Sequence, residues 1–285
     1  VGLELRRKGG GCLTEALNRR GLFIDEGPVV QVKDSDGGIQ TYNELERGMV
    51  WDGPLVVLTS KFSASASEIL AGAIQDYQRG LIVGDAATHG KGTVQSLLDL
   101  GHELGFLVRI KDPPKMGALK ITMQQFYRPN GDSTQKRGVI PDITLPSLSN
   151  HIGMGEADLD HAMDFDRVPP GRFTKHEMVD RDMVRKLIAK STARIKKSDE
   201  FAKQIERIER YKRYKEEKSI SLNEKEFLAR RESDRDAEKE EDKQFDESSD
   251  KDEKVFADDF YNKEVTAIAL DYLRELAENR VAQAG

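Results

Sequence analysis

The stretch Phe62-Ser-Ala-Ser-Ala-Ser-Glu68 sets three serines, Ser63, Ser65 and Ser67, at alternate positions between an apolar run and a helical pattern. The run before it, "PLVVLTSKF", reads as the end of a buried strand. After it, "SEILAGAIQDY" puts Ile69, Leu70, Ala73, Ile74 and Tyr77 on one helical stripe. A strand-to-helix turn suits a nucleophilic serine, because a helix start offers unpaired N–H groups and partial positive charge to the oxyanion formed when a hydroxyl attacks a carbonyl. The same residues fit a plainer use: Ser65 and Glu68 have the spacing of a capping box, and small residues let a helix pack closely.

A nucleophilic hydroxyl needs a base. The five histidines, His89, His102, His151, His161 and His176, stand in no recognisable catalytic setting. The other route is a lysine desolvated enough to accept the serine proton. "THGKGTVQS" supplies one in Lys91, flanked by Gly90 and Gly92 at the end of the apolar strand "LIVGD". Read locally, that Gly-Lys-Gly is equally a turn.

These residues need a scaffold, and the chain divides into two halves of different grammar. All nine prolines fall at or before Pro170, and between Gly171 and Gly285 there is no glycine. The expected boundary lies at 168/169. Before it, "GLELRR", "GPVVQV", "PLVVLTS", "LIVGD", "GFLVRI" and "ALKITMQQF" read as strands, and "TEALNRRGLF" and "SEILAGAIQDYQ" as helices. That order argues an α/β domain with a partly parallel sheet. After it, residues 174–192, 197–218 and 257–283 carry apolar residues at helical spacing, Phe201, Ile205, Ile208 and Tyr211 for example, or Val265, Ile268 and Leu276.

Composition narrows the function classes. No run reaches the ~18 apolar residues of a membrane span. The single cysteine, Cys12, excludes an internal disulfide and a cysteine-rich zinc site and reads as a small packed residue. The net charge of -6 does not suggest nucleic acid, but it is unevenly spread. Residues 181–220 hold 14 basic and 7 acidic side chains, whereas 231–260 hold 6 and 14. The blocks are suited to pair with each other, and 231–253 also reads as a solvated linker. "EADLDHAMDFD" is acidic but has no metal-ligand spacing and reads as a solvated loop.

The segment "FSASASEILAGAIQDYQRGLIVGDAATHGKGTVQ" resembles the signature of the carboxy-terminal processing, or tail-specific, peptidases, a serine/lysine family. "LRRKGGGCLTEALNRRGLFIDEGPVVQV" is similar to that family's Leu-Arg-x-x-Gly-Gly-Gly turn, and "FYRPNGDSTQKRGVIPDI" to its late strand and Gly-Val-x-Pro-Asp segment. The resemblance covers roughly residues 1–145 in order, and the tail resembles the helical extension of the longer bacterial members. It implies a Clp protease/crotonase-like core over 1–168, N-terminally truncated here, followed by an all-α extension over 169–285. It also implies a serine-type endopeptidase acting on unfolded or tagged proteins chosen by their C-terminal tails. Ser65 would be the nucleophile, Lys91 the base, Gln95 the residue orienting that lysine, and Asp76 a supporting carboxylate. Ala66 and Gly10 would supply the oxyanion-hole N–H groups, with Gly9 and Gly11 as alternatives to Gly10. No cofactor, metal or nucleic acid is implied, the compartment would be the periplasm or cell envelope, and the tail would serve an adaptor or self-association. A non-catalytic peptide-binding scaffold with a helical interaction tail is the competing reading, and an acyl-CoA enzyme on the related fold is a more distant one.

The sequence departs from the family pattern in places. Ser65 and Lys91 lie 26 positions apart, one more than the pattern, His89 stands where relatives carry phenylalanine, Lys8 replaces asparagine, and Glu4 replaces aspartate. The family's upstream protease strands and PDZ domain, which recruits a peptide by strand addition, are not in these 285 residues. The 285-residue chain by itself is therefore expected to cleave an unfolded, tail-tagged substrate weakly or not at all, and rapid cleavage by it would refute this.

Overall fold

A computed structural model of the chain describes residues 1–11, 22–44, 48–108, 114–217, 219, 222–225, 227–228, 231 and 256–284. Cys12, most of the "TEALNRRGLF" helix and the acidic block at 232–255 lie outside the described residues. The chain forms two compact units, Val1–Thr144 with Gly153–Asp180, and Leu145–Ile152 with Arg181–Gly285.

The first unit is mixed α/β, with two four-stranded sheets. One is wholly parallel, in the order β1 (Gly2–Glu4), β4 (Val56–Thr59), β5 (Leu81–Gly84), β8 (Ile143–Thr144). β4 and β5 are buried at every position, as continuous Val-Val-Leu-Thr and Leu-Ile-Val-Gly runs predict for strands covered on both faces. The other sheet is antiparallel, in the order β3 (Ile39–Glu44), β2 (Gly27–Asp34), β7 (Ala118–Tyr127), β6 (Thr93–Asp99).

Helix α1 (Ala66–Asp76) joins β4 to β5 and is buried continuously from Ala66 to Ile74. The apolar stripe read from the sequence is really two. Leu70, Ala71 and Ile74 pack with Leu5, Leu55, Val57, Ile82 and Val139 around the parallel sheet. Ile69, Ala73 and Tyr77 pack with Val29, Val30, Val32 and Phe126 of the antiparallel one. Each large aliphatic or aromatic side chain so buried contributes about 1.5–3 kcal/mol, so the helix is fixed from both sides and its first residue has little freedom.

One strand expectation is overturned. "GFLVRI" does not begin a strand: Leu100–Val108 is helix α2. Asp99, the last residue of β6, accepts the backbone N–H of His102 at 3.0 Å, the bond of an N-cap, so the helix starts where the strand stops. A short apolar run cannot by periodicity alone distinguish strand from helix. The acidic stretch is also more than a solvated loop: the side chain of Glu156 is 12% exposed, and Asp166 binds Lys33 and the Tyr127 hydroxyl.

The second unit is helical, with α3 (Arg181–Ile195), α4 (Asp199–Glu216), α5 (Phe260–Ala284) and a short 3-10 turn at Leu148–His151. Ser198 caps α4 by accepting from Phe201 N. The basic face of α3 meets carboxylates of α5: Arg194 binds Glu264 and Asp271, and Lys186 and Lys190 share Glu275. Those three acids are spaced by seven and four residues, one face of a helix, as are Lys186, Lys190 and Arg194 by four and four. The basic block thus meets carboxylates that lie beyond the acidic 231–260 block, of which residues 232–255 are outside the described residues.

Candidate active site

The serine stretch and the glycine turn are one structure. Ser63 donates its hydroxyl to the Leu5 carbonyl at 2.8 Å, Ser67 donates to the Lys8 carbonyl at 3.0 Å, and Ala64 N donates to that same carbonyl at 3.1 Å. Ser60 Oγ donates to the Arg6 carbonyl. Two of the three alternating serines therefore carry the backbone of residues 5–8, which leads into Gly9-Gly10-Gly11. Position 8 contributes only backbone groups, its carbonyl and an N–H that donates to Leu5 O at 3.1 Å, which any residue but proline supplies, so lysine in place of asparagine disturbs none of these bonds.

Ser65 is the odd one out. It is the N-cap of α1, half-buried, with φ 54° and ψ −111°. A side chain in that region is strained, at a cost of about 1–3 kcal/mol, and such strain persists only where the surroundings impose it. Gly10 comes close on the other side. With φ +125°, a Cβ built on it would lie 3.4 Å from Ser65 Cβ and 4.0 Å from Ser65 Oγ, so this glycine lets backbone approach the hydroxyl. Ala66 opens the helix, and its N–H belongs to the first-turn donors that have no partner within a helix.

Glu68 ties the serine to the lysine. Its carboxylate accepts Ser65 N (2.8 Å) and Lys91 N (3.0 Å) on Oε2, and Gly90 N (2.7 Å) and the Thr88 hydroxyl (2.6 Å) on Oε1. The two backbone nitrogens sharing Oε2 are therefore within about 6 Å of each other. Thr88 in turn accepts Val139 N at 2.7 Å. Glu68 is fully buried, and that burial pushes its pKa up to about 7 against the pull of its four donors. The capping box foreseen in the sequence is present in its glutamate half, and the same carboxylate reaches a loop 20 to 23 residues further on.

Lys91 is partly exposed, and its Nζ donates to Gln95 Oε1 at 3.3 Å. The two meet, but not as neighbours on one strand face: β6 begins at Thr93, and the β6–β7 register shifts between Val94 and Gln95. The lysine's length makes the contact. Gly90 and Gly92 are required by packing, since a Cβ on Gly90 would sit 3.0 Å from the Lys136 backbone and one on Gly92 2.7 Å from Gln135 N.

A cleft of about 690 Å³ opens here. Gly9, Ala64, Lys91 and Gln95 line it on the side of these turns, Phe62, Met154 and Leu159 give it apolar walls, and Arg7 and Lys120 add exposed charge. His89 and Glu156 complete the lining. His89 Nδ1 is 3.9 Å from Glu156 Oε2 and has no hydrogen-bond partner among the described residues. Burial, more than the neighbouring charges, draws its pKa below that of an ordinary histidine, which keeps it neutral at neutral pH.

Asp76 is not brought to this cleft. It ends α1, about 15 Å from Ala66 by the helical rise. There it takes a bidentate pair from Arg128 (Nη2 2.5 Å, Nε 3.2 Å) and accepts N and Nδ2 of Asn130. Burial raises its pKa and Arg128 opposes the rise. Sequence reasoning overlooked Glu68 as a bridge, and also Thr88, Thr134 and Gln135. The one available signal was a carboxylate inside the otherwise apolar "ASEILAGAI".

The fold and this site define a class: an α/β core with a strained serine at a helix start and a glycine-flanked lysine tied to it through Glu68. Residues 3–145 match the model of peptidase family S41, and residues 149–274 match the C-terminal domain of tail specific protease. The chain belongs to peptidase family S41, a family of serine peptidases. It is similar to the tail-specific protease of Haemophilus influenzae, 35% identical over 295 residues that cover 99% of this chain and 41% of that protein. It is also similar to the chloroplastic C-terminal processing peptidase of Tetradesmus obliquus, 35% identical over 50% of this chain and 28% of that one. A solved photosystem II D1 C-terminal processing protease aligns at 34% identity with a TM-score of 0.43, covering 50% of this chain and 34% of that chain. The chain thus spans less than half the length of these relatives.

Two outcomes follow from the geometry. Ser65→Gly should be more stable to denaturant than Ser65→Ala by about 1 kcal/mol, because only glycine relaxes at φ 54°; equal stabilities would remove the claim of strain. Glu68 binds its proton more tightly folded than unfolded, so its contribution to stability is present below about pH 4.5 and is lost as pH rises through about 7. The difference in unfolding free energy between the parent and Glu68→Gln should therefore change by on the order of 3 kcal/mol between those limits. A flat difference would overturn the assignment.

Proposed function

We propose that the chain carries the catalytic part of a serine-type endopeptidase that works through a Ser65–Lys91 dyad and an acyl-enzyme. The observation that carries this reading is the Glu68 carboxylate, which holds the backbone of Ser65 and of Lys91 on a single oxygen beside a cleft. Lys91, as the base, takes the Ser65 proton as Oγ attacks a peptide carbonyl. The negative charge on the carbonyl oxygen is met by the N–H groups of Ala66 and Gly10, at the positive end of α1. Lys91 then passes its proton to the leaving amine, and the same lysine deprotonates the water that hydrolyses the ester. Gln95 holds Nζ in place through its 3.3 Å contact. Asp76 supports the site through Arg128, by pinning the far end of α1.

The resemblance to the tail-specific peptidases extends the proposal to unfolded or tagged protein substrates selected by their C-terminal tails, and to the periplasm or cell envelope as the compartment. Tail selection by a PDZ domain elsewhere in the polypeptide is part of the same proposal. Among the described residues no helix is long and apolar enough to cross a membrane. The helical unit is assigned to an adaptor or to self-association, and α5 leaves Leu270, Leu273 and Val281 exposed for it.

The test is labelling of the full chain by a serine-reactive fluorophosphonate across pH. The parent should be labelled at Ser65, and Ser65→Ala and Lys91→Ala should each lose about 100-fold or more in rate. Labelling that persists undiminished in both variants would refute the dyad.

A further inference from the structure

A lysine that acts as a base on a four-carbon stem depends on where its root is held, because the stem itself is flexible. Lys91 is held at every polar group of the two peptide units that flank its Cα. In the first, Gly90 O accepts Lys136 N at 2.8 Å and Lys91 N donates to Glu68 Oε2 at 3.0 Å. In the second, Lys91 O accepts the Thr134 hydroxyl at 2.8 Å and Gly92 N donates to Gln135 Oε1 at 2.8 Å. Three of these four bonds come from consecutive residues 134–136. No rotation about φ or ψ of Lys91 is possible without breaking at least one.

Gln135 is the least ordinary of the three. It is fully buried, and burial of a polar amide is costly unless its groups are paired. It is paired on both ends: Oε1 takes Gly92 N, and Nε2 donates to Glu156 Oε1 at 3.0 Å. A carboxylate can only accept, so it demands the NH₂ end of the amide and thereby turns the oxygen towards Gly92. Glu156 is fixed in its turn by its own N–H, which donates to His89 O at 2.9 Å, and it lines the cleft. The cleft wall and the lysine turn are thus joined through one buried side chain.

We propose that Gln135 is a positioning residue for Lys91, holding the Lys91–Gly92 peptide while the Glu156 carboxylate determines which way its amide faces. The proposal rests on the reading of Lys91 as the base. Gln135→Met keeps the length of the side chain and removes the acceptor, leaving the Gly92 N–H buried without a partner. Exchanging the two groups, Gln135→Glu together with Glu156→Gln, restores an acceptor facing Gly92 and a donor facing that acceptor.

The experiment measures fluorophosphonate labelling of Ser65 and peptide hydrolysis on the full-length polypeptide, with thermal melts for every variant. Gln135→Met should label about tenfold more slowly or worse, and its kcat should fall while KM stays within about twofold. The double exchange should return labelling to within about threefold of the parent. In a Lys91→Ala background, Gln135→Met should cost nothing more, because its effect passes through the lysine. Parental labelling by Gln135→Met, a double exchange as slow as Gln135→Met, or an undiminished penalty in the Lys91→Ala background would each overturn the proposal. Parental labelling by Lys91→Ala would instead remove the base assignment itself. Slow labelling by Lys91→Ala with parental labelling by Gln135→Met removes only the role of Gln135.

Discussion

The carboxylate of Glu68 is the contact on which the rest of the site depends. It receives four hydrogen bonds, one for each of its lone-pair positions, and three of the donors are backbone N–H groups of Ser65, Gly90 and Lys91. Removing an ionised group from water costs several kcal/mol, and the four donors offset only part of that cost, which leaves the pKa raised to about 7. Here the pairing joins a helix start to a loop more than twenty residues away. A proton on either oxygen would displace one donor, so the geometry of Ser65 and Lys91 is linked to the charge of a residue that touches no substrate.

That linkage works because α1 cannot move to relieve it. Its two apolar faces are engaged by two different sheets, and its C-terminal end is anchored by the Asp76–Arg128 pair. Arg128 also reaches Gln75 Oε1 and the Gly72 carbonyl, so one guanidinium closes the last turn of the helix against the end of β7. A helix held this firmly imposes on its N-cap the backbone angles that a serine would not choose. The strain at Ser65 is thus a consequence of packing several residues away.

The helical unit follows a different logic. Glu264, Asp271 and Glu275 are nearly buried in α5, and each is met by a cation from α3. Taking away Arg194 would strand the buried Glu264 and leave Asp271 with Arg274 at 3.6 Å, a larger loss than the pair contributes when intact. The pairs accompany the apolar side chains that these helices bury, Met183 and Leu187 of α3 and Val265, Ile268 and Tyr272 of α5.

Much of this was legible in the chain. The period of apolar residues located α1, the buried strands and the three long helices, because that signal arises from the local geometry of helix and strand. The alternating serines marked a strand-to-helix turn, and Gly-Lys-Gly marked the turn that leads into β6. What local pattern could not decide was which serine remains uncommitted. Ser63 and Ser67 are occupied by the carbonyls of Leu5 and Lys8, some sixty residues earlier, and only closure of the fold brings those carbonyls within reach. The helix at 100–108 in place of a strand, the bulge before Gln95, and the use of Thr134 and Gln135 against the lysine turn are decisions of the same kind. Residue type and spacing determined which groups could do chemistry and on which elements they sit. The tertiary structure alone decided which buried donors and acceptors meet, since such bonds form between segments whose separation along the chain carries no period.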